Sequence, residues 1–317
     1  MSRSFTIGTR GSNLALWQAN YVKTRLENNF PAATFTIKII TTTGDRMLDT
    51  PLSKIGDKGL FTRQIESELL DGSIDFAVHS LKDLQTAQPE GLRIAAVCER
   101  EVPNDALVSA NYASIDDLPI GATVATGSLR RRSQLLHYRP DLRIEEIRGN
   151  VPTRIRKFEE SGLDAMILAF AGMHRLGLGD HIRQSIPFEI MLPAVGQGAV
   201  AIEARADDQH SLEVAASIDH EATRVCAEAE RAFLRRLEGG CQVPIGGHAN
   251  VEGGEIHLDG MVGSLDGKIV YREAMTGDRA EPDKLGTRLA EKLINMGALE
   301  LLEHSRAEAE MVPESVI

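Results

Sequence analysis

Two turns in this sequence bring backbone N–H groups, a hydroxyl and a guanidinium together at the start of a predicted helix. The first turn contains Arg10 and Ser12, and the second contains Ser128, Arg130 and Arg131. Such groups at a helix N-terminus bind carboxylates and phosphates. Each turn alone is also typical of a helix cap with a solvated arginine. Because the two turns match, we favour an anion site to which both contribute.

A cationic stretch follows the second turn. Residues 130–157 contain nine lysines and arginines against three acids, although the whole chain has a net charge of -11 and a pI near 5.4. The acidic chain argues against bulk binding to nucleic acid or anionic membrane, so the stretch predicts a site for a small polyanion. We expect Arg148 and Arg154, at a strand end and a helix start, to face one cleft. Arg156 and Lys157 fit a solvated helix face.

A further polar group ends the predicted strand DFAVHS, 75–80. Lys82 and Asp83 follow it, and they need not pair because adjacent side chains of an extended chain point to opposite faces. A carboxylate at this position suits acid–base chemistry or the stabilisation of a developing cation. A surface acid in a turn is the alternative. We interpret His79 as a strand histidine in the core.

The three cysteines, Cys98, Cys226 and Cys241, form no CxxC pair and indicate neither a disulfide framework nor a zinc site. Cys98 and Cys226 fit small core residues. Cys241 lies in the turn GGCQVPIGG, where glycines allow a ligand to approach the backbone closely. Its position predicts a thiol with a chemical role.

Strand and helix patterns alternate through the first two thirds of the chain, which predicts an α/β fold with parallel or mixed sheets. The segments ELLDGSIDFAVHS (68–80) and KFEESGLDAMILA (157–169) repeat one plan, so we predict two similar lobes around a ligand cleft. The predicted domain boundaries are 1–98 plus 199–216, 104–192, and 221–317. The third domain is α+β, with helices at 227–237 and 282–296. The long loop 44–60 is predicted to be a lid.

The composition is that of a soluble globular protein, with 42% hydrophobic and 26% charged residues and a mean hydropathy of -0.16. It excludes a disordered or fibrous chain. No apolar run reaches the roughly 18 residues of a membrane helix, and the amino terminus MSRSFTIGTR lacks a signal-peptide core. We therefore expect a cytoplasmic protein.

Taken together, the motifs resemble one known family, the porphobilinogen deaminases, also called hydroxymethylbilane synthases. The motifs are GTRGSNLAL (8–16), TTTGD (41–45) with KGLFT (58–62), HSLKD (79–83), ATGSLRR (125–131), RGNVPTR (148–154), AGMHRLG (171–177), LPAVGQGA (192–199) and LEGGCQVPIG (237–246). They occur in the family's order and spacing. Beyond residue 249 the resemblance is only general.

The resemblance implies three domains, of which the first two are α/β lobes like those of periplasmic binding proteins. It implies an enzyme that joins four porphobilinogen molecules head to tail into the linear tetrapyrrole hydroxymethylbilane and releases ammonia at each step. The chain is primed by a dipyrromethane cofactor, thioether-linked to the cysteine that matches Cys241. Each pyrrole carries an acetate and a propionate, which would explain the arginines. The family also suggests a monomer.

Site residues follow from the same resemblance. Asp83 matches the catalytic carboxylate, which assists deamination and stabilises the cationic azafulvene. Lys82, beside it, is implied to be catalytic as well. The residues implied to hold cofactor and substrate are Cys241, Arg10, Ser12, Lys82, Asp83, Ser128, Arg130, Arg131, Arg148, Arg154, Arg175 and Gln197; no metal is implied. One departure is Leu84-Gln85 after Asp83, where the family commonly has a proline.

Two other functions compete with this interpretation. A non-catalytic bilobal binding protein for a carboxylate or oxyanion would share the lobes, but it would need neither Cys241 nor a third domain. A thiol hydrolase would need a base such as His79 or His248, and no motif supplies the group that orients it.

Overall fold

The computed structural model describes residues 3–46, 59, 61–238 and 243–311. Most of the predicted lid and the whole GGCQ segment that contains Cys241 lie outside the described residues. Within the described part, the strands form three separate sheets.

The first sheet consists of β1 (Ser4–Thr9), β2 (Thr34–Ile39), β3 (Phe76–Ser80), β4 (Leu92–Val97) and β10 (Val200–Arg205). Their order is β2-β1-β3-β10-β4. Strands β2, β1 and β3 run parallel, and β10 is antiparallel to both of its neighbours.

The second sheet consists of β5 (Asp105–Val108), β6 (Thr123–Ala125), β7 (Arg143–Glu145), β8 (Ala165–Ala169) and β9 (Ile182–Ser185). Their order is β7-β6-β8-β5-β9, with β7, β6 and β8 parallel and β5 antiparallel to its neighbours. Position by position, this order and these directions match the first sheet. The structure therefore has two α/β lobes of one plan, joined by two crossings that lie between β4 and β5 and between β9 and β10.

The helices cover both faces of these sheets. They are α1 (Asn13–Asn29), α2 (Thr43–Arg46), α3 (Arg63–Leu70), α4 (Leu129–Tyr138), α5 (Val151–Ser161), α6 (Phe170–Arg175) and α7 (Gln209–Ala216). On one face of the first sheet Phe5, Phe35 and Phe76 pack together with Leu26 of α1. On the other face Ile65 of α3 packs against the sheet.

The remainder of the chain is a smaller α+β unit. Its antiparallel sheet has the order β11 (Ile245–Glu252), β12 (Glu255–Gly263) and β13 (Val270–Asp278). The helices α8 (Glu221–Arg236), α9 (Pro282–Asn295) and α10 (Ala298–Met311) belong to this unit. Phe233 of α8 is fully buried in the shared core. The predicted fold class, two α/β lobes and a smaller α+β domain, is confirmed.

Two details of the third domain differ from the sequence analysis. The helix predicted from Ala227 begins at Glu221, because the His220 side chain accepts a hydrogen bond from the Thr223 N–H and caps it. Helix α10 was not predicted at all. Gly297, with φ of 106°, separates it from α9.

Candidate active site

Polar residues follow the carboxyl ends of the parallel strands in both lobes. Arg10 follows β1, and Lys82 and Asp83 follow β3 in a 3-10 turn. In the second lobe Ser128 follows β6 and Arg148 follows β7. Ligands of open α/β sheets bind at this end of the strands. The topology therefore places these predicted residues along the cleft.

Two adjoining pockets lie there. The pocket that we call the arginine pocket is lined from both lobes, by residues that include Lys82, Arg131, Arg154, Arg175 and Gln197. The second, the aspartate pocket, is lined by residues that include Arg10, Ser12, Phe61, Thr62, His79 and Asp83. Leu14, Gln18 and Ser80 line both. Eight of the predicted site residues thus line one continuous region.

Arg154 and Arg175 are poorly solvated cations in the arginine pocket. Arg154 donates from Nε to the Gly149 carbonyl at 2.7 Å. Burial, together with the neighbouring charges of Arg131 and Arg148, lowers the pKa of Arg154 to about 10. Two causes thus disfavour the charged form, and an anion in the pocket would counter both.

Arg175 is held on two sides but lacks one hydrogen bond. Its Nη2 donates to the Gly198 carbonyl at 2.7 Å, and the guanidinium carbon lies 5.2 Å from the centroid of the Trp17 ring. Its Nε is buried and has no hydrogen-bond partner among the residues that the structure describes. Burial lowers the pKa of Arg175. A charged N–H donor without an acceptor is costly, so the position favours an incoming acceptor.

Lys82 lines the arginine pocket, whereas its neighbour Asp83 lines the aspartate pocket. Its Nζ donates to the Gln197 Oε1 at 3.4 Å. Burial lowers the pKa of Lys82, and Arg131 acts in the same direction, whereas Asp83 opposes the shift.

Asp105, at the start of β5, is fully buried behind the arginine pocket. It accepts hydrogen bonds at 2.7 Å from Arg130 and from Arg131, and at 3.0 Å from the Gln197 side chain. Burial alone would raise the pKa of Asp105, but the two guanidinium groups lower it well below its usual range. Asp105 therefore fixes Arg131 and Gln197 on the pocket wall as a permanent carboxylate.

Arg130 has a different place from the one expected. Its Nη1 donates to Asp105 and, at 2.6 Å, to the Leu192 carbonyl. The side chain is 5% exposed and lines neither pocket. The structure thus places Arg130 behind Arg131 rather than on the pocket wall.

The two matching serines act as helix caps. Ser12 accepts a hydrogen bond from the Ala15 N–H at 3.3 Å, and Ser128 accepts one from the Arg131 N–H at 3.5 Å. Ser12 also lines the aspartate pocket, whereas Ser128 lines neither pocket. Arg148 forms an ion pair with Glu146 at 3.1 Å and is not a lining residue either.

Arg10 is oriented by two neighbours. Its guanidinium pairs with the Asp45 carboxylate at 2.5 Å and lies 4.1 Å from the centroid of the Phe61 ring. Burial alone would raise the pKa of Asp45, but hydrogen bonds from Arg10 and Thr42 outweigh it and lower that pKa. The ion pair keeps Arg10 at the mouth of the aspartate pocket.

Asp83 is exposed, and the loop after it is anchored from α8. Arg231 is buried and donates to the Gln85 carbonyl at 2.5 Å and to the Gln88 side chain at 3.1 Å. Leu84 has φ of -85° and its side chain is buried. These contacts fix the loop at the point where the sequence departs from the family's proline.

Within the residues that the structure describes, no group of three or more His, Cys, Asp or Glu side chains is arranged to hold a metal ion. None of the described helices combines the length and the apolar character that crossing a membrane requires.

Comparison with known proteins identifies the family. The model of the porphobilinogen deaminase dipyromethane cofactor binding domain matches residues 5–213, and that of the porphobilinogen deaminase C-terminal domain matches 224–295. The chain belongs to the porphobilinogen deaminase family. Every residue that lines the two pockets falls within the matched cofactor-binding domain.

Curated relatives agree over almost the full length. The porphobilinogen deaminase of Pelotomaculum thermopropionicum is 53% identical over 308 residues, 97% of this chain and 99% of the relative. That of Carboxydothermus hydrogenoformans is 50% identical over 98% of this chain and 99% of the relative. The non-catalytic binding protein, our alternative, is not favoured.

Among solved structures, a putative methionine-binding lipoprotein from Bacillus subtilis superposes with a TM-score of 0.41 and 12% identity, over 67% of this chain and 88% of that one. At that score the superposition adds nothing to the fold described above.

The sequence analysis missed two residues of this cleft. Asp105 anchors the arginines, and Gln18 donates to Ser80 at 2.8 Å on the wall shared by both pockets. The sequence does carry a signal for Asp105, because it is an acid at the start of the otherwise apolar strand DALV. Gln18 lies on an ordinary helix face and gave no such signal.

Proposed function

We propose that this chain is a porphobilinogen deaminase that joins four porphobilinogen molecules head to tail into hydroxymethylbilane, releases ammonia at each step, and is primed by a dipyrromethane attached to Cys241. The observation that carries the proposal is the lining of the arginine pocket. Lys82, Arg131, Arg154 and Arg175 line it, and no Asp or Glu is among the described lining residues.

The residues present fit a dipyrromethane. Within the described part of the chain, the Nε of Arg175 is a buried donor without an acceptor, and Arg154 has a pKa lowered by burial and by its cationic neighbours. Both features favour a ligand that brings several carboxylates into the pocket. Two pyrroles with an acetate and a propionate each have that character. Bound there, the cofactor would supply the ring carbon to which the first substrate is joined.

The described side chains would have separate roles in ligand binding and in catalysis. Arg131, Arg154 and Arg175 would bind carboxylates and hold the rings in one orientation. Each condensation breaks the bond between the aminomethyl carbon and its nitrogen, which leaves as ammonia, forms a carbon–carbon bond, and removes a proton from the ring carbon. Asp83 would stabilise the positive charge that develops at the aminomethyl carbon. Arg10 would bind a substrate carboxylate beside it.

The thiols support Cys241 as the attachment residue. Burial raises the pKa of Cys98 to about 12 and that of Cys226 to about 11. Both are therefore thiols, not thiolates, at neutral pH, and neither is a competent nucleophile. Of the three cysteines only Cys241 is left for a thioether.

Intact mass and native alkylation at neutral pH test this assignment together. We expect the purified protein to exceed its chain mass by one dipyrromethane, with the adduct on the peptide that contains Cys241. Iodoacetamide should then modify no cysteine, whereas in cofactor-free protein it should modify Cys241 and spare Cys98 and Cys226. A native mass equal to the bare chain, or full activity in Cys241→Ala, would contradict the assignment.

An arginine substitution tests the carboxylate site. Losing a charge-assisted hydrogen bond of about 1.5–3 kcal/mol should weaken cofactor assembly or substrate binding about tenfold or more in Arg175→Leu. Arg156→Leu is the control, since Arg156 is exposed and pairs with Glu160 on the surface of α5. Unchanged assembly and KM in Arg175→Leu would remove that residue from the site.

The proposal also includes a cytoplasmic monomer. Its support is the family resemblance, and size-exclusion chromatography with light scattering tests the monomer.

A further inference from the structure

Arg175 lies against an aromatic side chain of the other lobe, and the chemistry above makes no use of that contact. Arg175 belongs to α6 of the second lobe, whereas Trp17 belongs to α1 of the first. The guanidinium carbon is 5.2 Å from the centroid of the Trp17 ring, within the range of a cation–π interaction. Trp17 is not among the described residues that line either pocket, so it lies behind Arg175.

The Trp17 indole is itself held along one face of α1. It stacks on Tyr21, one turn later, with ring centroids 5.3 Å apart and an angle of 10° between the ring planes. Arg25, a further turn along, lies 5.5 Å from the Tyr21 ring and donates to its hydroxyl at 2.6 Å. The i, i+4, i+8 spacing places these three side chains on one face of the helix. The stack limits rotation of the indole, which gives Arg175 a fixed surface.

The two lobes also meet beside this pair. A Cβ added at Gly172 of α6 would lie 3.7 Å from the Leu14 side chain of α1, so the two helices approach each other closely. Arg175 donates to the Gly198 carbonyl, in the crossing between β9 and β10, at 2.7 Å. Both lobes and a crossing between them therefore meet at one guanidinium.

An aromatic partner suits a cation that must also bind a ligand. Burial lowers the pKa of Arg175, and Glu101, which opposes this shift, lies 2.8 Å from the His174 Nδ1. The negative face of an indole stabilises a cation and, unlike a carboxylate, leaves the N–H donors in the guanidinium plane available. The Arg175 Nε is such a donor, buried and without an acceptor among the described residues.

We propose that Trp17 is a positioning residue for Arg175, whose guanidinium it holds in the arginine pocket from the opposite lobe, with the Nε available to a ligand carboxylate. That this carboxylate belongs to the cofactor or the substrate rests on the proposed function, whereas the contact between the lobes does not. Because Trp17 acts through Arg175, loss of the indole should weaken ligand binding and leave kcat unchanged.

Fluorescence measures the contact without any activity, because Trp17 is the only tryptophan of the chain. In the purified full-length protein we expect acrylamide to quench the emission more strongly in Arg175→Leu than in the wild type, since the guanidinium no longer covers one face of the ring. Arg156→Leu, on the surface of α5, is the control and should be quenched like the wild type. Equal quenching in Arg175→Leu and wild type would overturn the proposal.

A double-mutant cycle tests the positioning role. The measured quantity is the one that Arg175→Leu changes, either the fraction of chains that carry the cofactor or the KM for porphobilinogen. Loss of the cation–π contact in Trp17→Leu should worsen this quantity roughly threefold to thirtyfold. In the Arg175→Leu background the same substitution should add nothing. Trp17→Phe retains an aromatic face and should recover most of the loss.

Tyr21→Phe is the control for the cycle, because it keeps the stacked ring and loses only the hydroxyl, and it should match the wild type. Wild-type cofactor content and KM in Trp17→Leu would refute the proposal. An equal effect of Trp17→Leu in both backgrounds would also refute it, since Trp17 would then merely pack in the first lobe. A protein without condensation activity would contradict the proposed function, but the fluorescence comparison would still report the contact, so the two failures are distinguishable.

Discussion

Some arginines of residues 130–157 pair with an acid away from the pockets, whereas others reach the arginine pocket. Arg130 faces Asp105, and Arg139 pairs with Asp141 at 2.8 Å. Arg131 also pairs with Asp105, yet it reaches the pocket together with Arg154. The count of nine cations against three acids indicated a polyanion site, but it could not say which cations would be neutralised. Their acidic partners include Asp105, which precedes the stretch by 25 residues and meets it only in the folded chain.

At the residue scale, substitution of Asp83 distinguishes a role in binding from a role in catalysis. Asp83→Asn keeps the size and much of the hydrogen bonding but removes the negative charge. If the carboxylate stabilises a developing cation, turnover should fall by orders of magnitude while the protein folds and still carries its cofactor. Asp83→Glu keeps the charge and should retain more activity than Asn.

The measurement is hydroxymethylbilane formation on samples matched for cofactor content by intact mass. Because Asp83 is exposed in its turn, neither variant is expected to lose stability by more than about 0.5 kcal/mol. Equal activity in Asp83→Asn and wild type would make Asp83 a surface turn acid.

At the element scale, the alternating pattern predicted the two sheets because buried parallel strands and their glycine turns leave a local signal. The start of α8 was missed because its cap is His220, outside the usual Ser, Thr, Asp and Asn set. The loop after Asp83 could not be predicted locally either. Its anchor, Arg231, is 146 residues away from Gln85 along the chain.

Replacing Arg231 with Met tests this anchor. The substitution keeps an apolar stem but leaves the Gln85 carbonyl and the Gln88 side chain without their donor. Hydrogen bonds to a charged group contribute about 1.5–3 kcal/mol, so we expect the free energy of unfolding to fall by about 2–4 kcal/mol. We also expect kcat to fall, because the 3-10 turn that carries Asp83 leads directly into this loop.

Urea unfolding and steady-state kinetics measure the two effects. Arg236→Met is the matched control, also on α8, where an exposed side chain pairs with Glu291 at 3.5 Å. The control substitution should lower the free energy of unfolding by less than about 1 kcal/mol. If the two variants behave alike, the anchoring role of Arg231 is wrong.

At the scale of the whole molecule, both crossings between the lobes meet the third domain at one buried carboxylate. Glu230 of α8 accepts from Arg100 in the first crossing at 2.5 Å and from the Gly196 N–H in the second at 2.7 Å. It also accepts from the Ala249 N–H of β11 at 2.7 Å. Arg100 in turn donates to the Gln197 carbonyl at 2.8 Å. Sequence patterns cannot reveal a contact that exists only once three domains have assembled.

Glu230→Gln should therefore destabilise the junction as a unit. The substitution leaves the Arg100 charge buried without its partner, and breaking a buried pair in this way costs about 3–5 kcal/mol. We expect that loss in urea unfolding, together with faster hydrogen exchange at the Gly196 and Ala249 amides than in the wild type. Glu228→Gln, two residues earlier on α8, removes only a half-exposed pair with Arg224 and should cost less than about 1 kcal/mol. Unchanged exchange at both amides in Glu230→Gln would show that the crossings are held by their own backbone contacts, and that α8 merely packs beside them.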